Sequence, residues 1–298
     1  MIKVFLGEYK EIMQSEPLTI VIGNFDGIHV GHKELIKTAL TFTDTKHAAM
    51  TFNPHPIAFF TNDFSHLSSL DDKINEFVKC NFDYFFGITF NKEFSSLDVK
   101  EFVDFLRQIN VKRIILGDDF RFGKNGIGNP SKLSEYFEVL VIPYLLIENT
   151  KVSSSNIRDL VTVGDMQTAK LMLGNDYFIN GVVVHGNEIG RILGFKTANI
   201  DFNYYLLPKN GVYATKIEMN NNIYYGMANI GNSPTVNFSN EKRLEVNIFD
   251  FDFDIYNCPI KVSFLKFIRE EKKFKDKHEL INNLENDKKE ITKLLKKC

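Results

Sequence analysis

The sequence predicts two domains of different fold class: an α/β domain with a parallel sheet over residues 1–174, and a mainly antiparallel β-barrel with a C-terminal helix over residues 175–298. Three observations support this prediction. Strands alternate with amphipathic helices up to Gly174, which is typical of a parallel sheet. From Phe178 onward, short β-rich runs follow one another without helices between them, as in a closed barrel. The final stretch places apolar residues at helical spacing among charges.

Composition and charge restrict the class of protein. The 298 residues are 44% hydrophobic, which is enough to build two cores, and a formal charge of −2 gives no electrostatic reason to expect nucleic acid or an anionic membrane as a partner. The three cysteines, Cys80, Cys258 and Cys298, lie far apart without metal-ligand spacing, so we expect a reducing compartment and no zinc site. The N-terminus lacks the apolar core of a signal peptide, and no run approaches a membrane span. We therefore expect a cytoplasmic protein.

Residues 18–33, LTIVIGNFDGIHVGHK, form the first strand, loop and helix around which the α/β domain is organised. The β-branched run that opens this segment predicts a buried strand, Gly23 begins a turn, and a helix is expected to begin near Gly31. Free backbone N–H groups at a helix start make such a junction an anion site. His29 and His32 lie three residues apart at the junction, close enough to reach one ligand. Taken alone, such a pair is more often a capping or surface pair than a functional one.

The next strand ends in a proline-stiffened loop, at the edge where open α/β sheets bind ligands. Asn53 and His55 lie in this loop and are candidate pocket residues, with an incidental histidine in a stiff turn as the alternative. Four further segments continue the alternation and favour a Rossmann-like sheet: SSLDDKINEFVKC with Ser69 as its helix cap, FDYFFGITF, VKEFVDFLRQI and VKRIILG.

Two later segments of the first domain carry side chains suited to ligands. The glycine-rich loop 116–129 surrounds Phe120 and Arg121, which predicts a close approach to a ligand. Three serines then precede a helix, and Asp165 is expected to cap the helix after it. Capping alone would explain the serines, whereas a phosphate clamp would also use the arginine one turn later. The members of this candidate clamp are Ser154, Ser155 and Arg158.

In the second domain, a glycine-rich loop and the strand after it carry candidate phosphate chemistry. Gly186, Gly190 and Arg191 make the loop suited to wrapping phosphates. Thr197 and Asn199, two residues apart, offer the hard oxygen donors that Mg²⁺ prefers. Taken alone, such a pair in a strand is more often structural than metal-binding.

A later strand of the second domain carries a candidate acid or base. In RLEVNIFDF, strand alternation places Glu245 and Asn247 on the face opposite Leu244 and Val246. A glutamate opposite an aliphatic face is usually only solvated, so this position alone does not assign a function.

Taken together, these segments resemble the bacterial bifunctional riboflavin kinase/FAD synthetase (FMN adenylyltransferase) family, in the family's order and over essentially the whole chain. GNFDGIHVGH is similar to the HxGH nucleotidyltransferase signature in the form that FAD synthetases carry, a longer match than HxGH alone. The other matching segments are TFNPHP, GDDFRFG and VSSSNIR in the first domain, and GRILGFKTAN, LPKNGVY, GMANIGNSPT, RLEVNIFDF and FIREEKKF in the second.

For the first domain, the resemblance implies an HxGH nucleotidyltransferase that adenylylates FMN to FAD with release of pyrophosphate. His29 and His32 would stabilise the triphosphate of ATP, and Arg158 would be the third catalytic residue. The implied nucleotide- and phosphate-binding residues are Gly23, Asn24, Phe25, Asp26, Gly31, Ser154 and Ser155, and the implied flavin-binding residues are Asn53, His55, Phe120 and Arg121.

For the second domain, the resemblance implies a riboflavin kinase that makes FMN with ATP. Thr197 and Asn199 would hold Mg²⁺ against the ATP phosphates, and Glu245 would be the general base that takes the proton of the ribityl hydroxyl. Arg269, in FIREEKKF, would border the flavin.

Two alternative hypotheses stay open. One is an enzyme with a single activity, and the kinase is then the half in question, because Lys196 replaces the family's proline and Asn247 replaces its histidine. The other is a flavin-binding regulator without turnover, which would not need the phosphate and metal residues of both halves. The expected substrates and products are ATP, riboflavin, FMN and FAD, with Mg²⁺ as cofactor. No nucleic acid or membrane partner is expected, and weak self-association stays open.

Overall fold

The computed structural model of this protein describes residues 1–61, 64–185, 197–232 and 242–296. The chain divides into two compact units, residues 1–154 and residues 155–298. Each unit corresponds to one of the two fold classes that the sequence predicts.

A six-stranded parallel sheet forms the centre of the first unit. Its strands are β1 (Lys3–Gly7), β2 (Leu18–Ile22), β3 (Lys46–Asn53), β4 (Tyr84–Thr89), β5 (Val111–Gly117) and β6 (Glu138–Ile142). The strand order is β1-β4-β3-β2-β5-β6, and every neighbouring pair is parallel. All five residues of β2 are buried, which confirms the predicted buried strand. A short antiparallel pair, β7 (Leu146–Ile147) and β8 (Thr150–Lys151), follows the sheet.

Helices cover both faces of this sheet because alternate residues of each strand point to opposite sides. Ile20 of β2 belongs to one core cluster, and its neighbour Val21 belongs to the other. Ser69 caps the third helix, as predicted, in a capping box with Asp72. The helices of this unit are α1 (Val30–Ala39), α2 (Pro56–Thr61), α3 (Leu70–Lys79), α4 (Lys92–Ser95), α5 (Val99–Gln108) and α6 (Pro130–Leu133).

The strand order creates a crevice at the carboxyl ends of β2 and β5. From β2 the chain moves outward to β3 and β4, and it then returns to the other side of β2 as β5. Open α/β sheets bind ligands at such a reversal, since the loops that follow the two strands leave in different directions. The loops after β2, β3 and β5 therefore meet at one edge of the sheet.

The second unit contains a closed barrel of six strands, and every described pair in it is antiparallel. The strands are β9 (Tyr177–Val184), β10 (Ala198–Asp201), β11 (Gly211–Met219), β12 (Asn222–Asn232), β13 (Lys242–Ile248) and β14 (Pro259–Arg269). The barrel order is β10-β13-β12-β11-β14-β9. This architecture confirms the predicted barrel.

Among the described residues of the second unit, three helices accompany the barrel, namely α7 (Ser154–Val163), α8 (Met166–Leu173) and α9 (Lys277–Leu295). Asp165 caps α8 as predicted, because its carboxylate accepts the N–H of Thr168 at 3.1 Å. α8 packs on β9 and β14, and α9 packs on the outer face of the barrel through Ile291. The division into two compact units therefore assigns α8, and α7 from its second residue onward, to the same unit as the barrel. The domain boundary at residues 174–175 remains a prediction from the sequence.

Candidate active sites

The loop between β2 and α1 has a bent backbone. Phe25, Gly27 and Ile28 have positive φ angles of 50°, 86° and 37°. Glycine adopts this region freely, whereas a bulky or β-branched residue does so only when its surroundings impose it. We therefore expect the contacts that hold Phe25 and Ile28 in this backbone conformation to belong to the candidate site.

Asp26 provides the main contacts that fix this loop. Its fully buried carboxylate accepts hydrogen bonds from the backbone N–H groups of Leu67 at 2.9 Å and Ser68 at 3.3 Å. The Ser68 hydroxyl in turn accepts the N–H of Gly27 at 2.9 Å. The Ser154 hydroxyl donates to the backbone carbonyl of Asp26 at 2.8 Å, so both sides of the loop are braced. Asp26 thus acts on the shape of the loop, and its own role as a nucleotide ligand stays a prediction.

The two histidines of the loop lie face to face at the start of α1. Their ring centroids are 3.7 Å apart with an interplanar angle of 14°. His29 caps α1, because its Nδ1 accepts the N–H of His32 at 3.3 Å. An accepting Nδ1 places the proton of the neutral ring on Nε2, where it can be donated to a ligand. A Cβ at Gly31 would lie 3.2 Å from the His29 ring, which explains the glycine between them.

Burial keeps both histidines neutral. It lowers the pKa of His29 to about 4, against a smaller opposing effect of the Asp119 carboxylate. The pKa of His32 lies well below its usual value, first because of burial and then because of the charges of His29 and Lys73. Within the described ranges, the buried Nδ1 of His32 has no hydrogen-bond partner. The pair can therefore offer N–H donors to a phosphate, but it contributes no positive charge at pH 7.

The candidate flavin residues after β3 lie in the loop at the carboxyl end of that strand. Asn53 is its last residue and is exposed. His55 is buried, its Nδ1 accepts the N–H of Ile57 at 3.2 Å, and its ring stacks on Phe64 with 4.4 Å between centroids. The structure thus places both side chains at the predicted edge of the sheet.

The loop after β5 brings Phe120 and Arg121 to the same edge. Phe120 stacks on Phe122 with 5.9 Å between centroids, and Phe122 packs on Phe102 of α5 at 4.6 Å. The exposed Arg121 guanidinium donates to the carbonyl of Phe120 at 2.7 Å. Phe120 is therefore anchored to the core, whereas Arg121 faces solvent.

Ser155 and Arg158 lie in the first turns of α7, where the sequence predicts a helix after three serines. Ser155 is exposed, and Arg158 is partly buried. A helix start supplies free N–H groups for an anion, and both side chains are close to that start along the chain. Their role in phosphate binding stays a prediction.

In the barrel, three polar side chains form a row across neighbouring strands. Asn199 of β10 pairs with Glu245 of β13, and Glu245 pairs with Asn229 of β12. Residues directly opposite in antiparallel strands share one face, with Cβ atoms about 4.5–5.5 Å apart. Thr197 is exposed and lies two residues before Asn199 in the chain. The structure thus brings one predicted metal donor, Asn199, next to the predicted base Glu245.

The environment of Glu245 suits a general base. Burial raises the pKa of its carboxyl, and the nearby Glu271 carboxylate raises it further against the opposing Arg243 charge. A base is most effective when its pKa lies closer to the working pH than that of a free carboxylate. Asn247, two residues further along β13, is buried and pairs with Met227.

A cavity of about 280 Å³ opens beside Thr197 at one end of the barrel. Its wall combines aliphatic barrel residues with aromatic and acidic residues of the segment after β13. The lining residues are Val183, Thr197, Ala198, Val246, Ile248, Phe251, Asp252, Phe253, Asp254, Ile255 and Tyr256. Its size and aromatic wall suit one ring system of a ligand.

Arg269 is engaged with α9. Its Nε donates to both carboxylate oxygens of Asp287 at 3.0 and 3.1 Å, and its Nη2 donates at 2.7 Å. Asp287 is buried, so this pair attaches α9 to the end of β14. The predicted contact of Arg269 with the flavin stays a prediction. Gly186, Gly190 and Arg191 lie outside the described residues, as does Lys196.

Known proteins match both halves of this chain. The FAD synthetase family model matches residues 11–156, and the riboflavin kinase family model matches residues 173–295. A bifunctional riboflavin kinase/FMN adenylyltransferase from Bacillus subtilis is 38% identical to this chain, over 91% of the chain and 90% of its own length. This chain belongs to that family. The Escherichia coli K12 member is 32% identical over 91% of each protein.

A solved structure supports the same family fold. It comes from Streptococcus pneumoniae, is 31% identical, and superposes with a TM-score of 0.88 over 96% of this chain and 98% of its own length. It is described as a macrolide-efflux protein, and that description concerns the pneumococcal protein alone. In the part of our chain that the structure describes, no helix combines the length and the apolar character needed to cross a bilayer.

Sequence reasoning did not single out two polar residues that lie near the candidate site residues. Lys73 of α3 is buried near His32, although lysine is normally exposed. A signal was present, since Lys73 occupies the same helical face as Leu70, Ile74 and Phe77. Asn229 lies in the row with Glu245, and only the strand register reveals that placement.

Proposed function

We propose that this chain carries out two consecutive ATP-dependent reactions, phosphorylating riboflavin to FMN in the barrel and adenylylating FMN to FAD in the α/β unit. The observation that supports this most strongly is that both family models match, each over the unit whose candidate site fits its chemistry. The neutral histidine pair fits an adenylyl transfer, and the raised pKa of Glu245 fits a hydroxyl activation.

In the adenylyl transfer, an FMN phosphate oxygen attacks the α-phosphorus of ATP, and the bond to the β-phosphate oxygen breaks to release pyrophosphate. The attacking phosphate is already ionised, so the protein needs no base for this step. Its contribution is positioning and stabilisation of charge on the leaving pyrophosphate. His29 and His32 would donate N–H bonds to it, and Ser155 and Arg158 keep the phosphate-binding roles that the family resemblance implies. The braced loop would keep these donors in place before ATP binds.

In the kinase reaction, the 5′-hydroxyl of riboflavin attacks the γ-phosphorus of ATP, and ADP leaves. Glu245 would take the hydroxyl proton as the new O–P bond forms. Asn199 and Asn229 lie on either side of Glu245 and would orient it by hydrogen bonding. The cavity would receive the adenine, since Thr197, one of the two proposed Mg²⁺ donors, lines its wall.

The donors at the start of β10 fit Mg²⁺. Thr197 offers a hydroxyl and Asn199 an amide oxygen, both hard neutral ligands, and Mg²⁺ is commonly bound by few protein oxygens together with waters and substrate phosphates. When bound, Mg²⁺ would neutralise charge on the transferred phosphoryl group. Thr197 and Asn199 would fix its position relative to Glu245.

We also propose a cytoplasmic enzyme whose partners are its small-molecule substrates. Cys80 and Cys258 are free thiols, as expected in a reducing compartment. A near-neutral formal charge of −2 gives no field that would attract nucleic acid or a membrane surface. Weak self-association is the further partner hypothesis, which sedimentation of the purified chain would test.

One assay tests the proposed function. The full chain is incubated with riboflavin, ATP and Mg²⁺, and FMN and FAD are followed by chromatography, with a parallel reaction that starts from FMN. We expect FMN to form first and FAD to follow. FMN without FAD, or FAD only from supplied FMN, would establish a single-activity enzyme. Flavin binding without either product would establish the regulator.

A further inference from the structure

Glu271 is an acidic residue just beyond the end of β14 whose carboxylate lies against strand β12. A Cβ on Gly231 would overlap the Oε1 atom of Glu271, so the carboxylate occupies the space that a side chain at position 231 would fill. Its other oxygen, Oε2, accepts a hydrogen bond from Nδ2 of Asn210 at 3.4 Å. The glycine therefore leaves room for a carboxylate that comes from another part of the chain.

The position of Gly231 places this carboxylate on the face of the barrel that carries Asn229 and Glu245. Residues two apart in a strand point to the same face, so position 231 shares the face of Asn229. Gly231 pairs with Arg243, and Glu245 is therefore its diagonal neighbour. Diagonal positions in antiparallel strands are about 7–8 Å apart, within reach of long side chains. Glu271 and Glu245 thus border the same space.

Contacts beside Glu271 fix the chain that carries it. Arg269 bonds the carboxylate of Asp287 in α9 at distances of 2.7–3.1 Å, and Glu270 pairs with Lys209 at 2.5 Å. Glu271 itself is exposed. A carboxylate offers about four acceptor positions, and among the described residues only the Asn210 amide donates to this one. Glu271 can therefore accept further hydrogen bonds from a ligand.

Charge distinguishes the two sides of Glu245. The proposed Mg²⁺ and the ATP phosphates belong to the side of Asn199 on β10, whereas Glu271 lies on the side of β12, because the strand order is β10-β13-β12. A carboxylate repels a polyphosphate but accepts hydrogen bonds from hydroxyl groups. In phosphoryl transfer, the attacking oxygen and the leaving group lie on opposite sides of the phosphorus. The side of Glu271 is therefore the side of the uncharged alcohol substrate.

We propose that Glu271 is a substrate-binding residue of the kinase site, whose carboxylate accepts hydrogen bonds from the secondary hydroxyls of the ribityl chain while Glu245 acts on the 5′-hydroxyl. This inference rests on the proposed function, which places riboflavin phosphorylation in the barrel. The secondary hydroxyls do not react, so these hydrogen bonds are equally strong in the ground state and in the transition state. Glu271 therefore contributes to riboflavin affinity and not to the rate of transfer.

The test measures the kinase activity of the full chain with Glu271→Ala, a change at an exposed position that leaves the barrel core intact. We expect the KM for riboflavin to rise about 10- to 100-fold, the loss typical of hydrogen bonds to a charged group. The kcat, the KM for ATP and FAD formation from supplied FMN should not change. Glu270→Ala is the matched control, since Glu270 is the adjacent glutamate and pairs with Lys209, and it should leave all of these values unchanged.

Lumiflavin, which has a methyl group in place of the ribityl chain, is the probe for the flavin ring alone. Its inhibition constant against riboflavin in the kinase reaction should be the same for the parent and for Glu271→Ala. An equal rise in the KM for riboflavin and in the inhibition constant of lumiflavin would mean that Glu271 only supports the shape of the site, which overturns the inference.

The remaining results separate the inference from the proposed function. An active Glu271→Ala kinase with the parent KM for riboflavin would overturn the role of Glu271 and leave the kinase assignment standing. A raised Mg²⁺ requirement without a raised KM for riboflavin would assign the carboxylate to the metal and likewise overturn the inference. A parent chain that forms no FMN from riboflavin would overturn the proposed kinase function, and this inference with it.

Discussion

The β2–α1 loop of the first unit and the Asn199–Glu245–Asn229 row of the barrel differ in how their polar groups are fixed. In the loop, Asp26 and the stacked histidines are engaged by hydrogen bonds and ring contacts. In the row, the contacts that the described residues show are the strand pairings, which place the side chains next to one another. The loop is therefore fixed before substrate arrives, whereas the row is a set of neighbours whose bonds to substrate and Mg²⁺ would complete it.

This difference matches the chemistry proposed for each site. Adenylyl transfer to an ionised phosphate needs fixed donors and no proton transfer, so neutral, buried histidines suit it. Phosphorylation of a hydroxyl needs a base, so a carboxylate whose pKa is raised by burial suits it. The predictions below test whether the two sites are as separate as this comparison implies.

The largest expected effect is that of Glu245→Gln on the kinase. The change keeps shape and hydrogen bonding but removes the base, so riboflavin phosphorylation should fall by about 10²- to 10⁴-fold. FAD formation from supplied FMN should stay close to the parent rate. Glu218→Gln is the control, since Glu218 is a barrel glutamate paired with Lys216 and Lys261. Normal phosphorylation by Glu245→Gln would show that this residue is a solvated strand residue.

His32→Ala should impair FAD formation and spare the kinase, the reverse of the effect expected for Glu245→Gln. Removing one N–H donor from the leaving pyrophosphate should lower FAD formation by about 10²- to 10³-fold, as for the loss of an oxyanion donor. FMN formation should continue at the parent rate. His47→Ala is the control, because His47 bonds to the Phe42 carbonyl at 2.7 Å, near the start of β3 and away from its ligand-binding end. An equal loss of both activities would point to misfolding.

Acid should destabilise the first unit through His29. Its pKa falls from 6.5 to about 4 on folding, so below pH 6.5 the unfolded chain takes up a proton that the folded ring does not. The resulting loss should be on the order of 3 kcal/mol by pH 4, and it should be absent above pH 7. Urea unfolding of the parent and of His29→Gln between pH 7 and pH 4 measures it. Parallel pH curves for the two proteins would contradict the buried neutral ring.

Asp26→Ala should show whether FAD formation depends on the shape of the β2–α1 loop or only on the stability of the folded chain. It leaves the buried N–H groups of Leu67 and Ser68 without an acceptor, at a cost of about 1–3 kcal/mol in unfolding free energy, and FAD formation should fall while the kinase persists. Asp83→Ala is the control, since Asp83 also accepts a backbone N–H, that of His47 at 2.9 Å, near the strand starts. If Asp83→Ala lowers FAD formation equally, stability alone explains the effect.

The smallest effect concerns the stability cost of the proposed base. The folded state raises the pKa of Glu245, so the charged carboxylate disfavours folding at neutral pH. Glu245→Gln should therefore raise the Tm of the barrel slightly at pH 7. The gain should disappear below about pH 4, where the carboxyl is protonated in both states. Calorimetry at both pH values measures it, and a gain of equal size at pH 4 would contradict the pKa direction.

The sequence determined the local structure and most of the candidate residues. Strand β2, the Ser69 cap and the Asp165 cap were predictable because apolar periodicity and capping act between residues close in the chain. Edge strands β1 and β6 were not predicted, since each has exposed residues that weaken the apolar signal. The family resemblance supplied the candidate functional residues because its motifs are long and occur in a fixed order.

Only the tertiary structure shows which contacts those residues make and how deeply they are buried. The carboxylate of Asp26 turned out to bind backbone groups some forty residues away, and Arg269 turned out to bind Asp287 of α9. The burial that keeps His29 neutral and the register that places Asn229 beside Glu245 are likewise absent from any local pattern. Contacts between distant residues and the desolvation they cause arise only when the chain is packed, and these set charge and geometry at both sites.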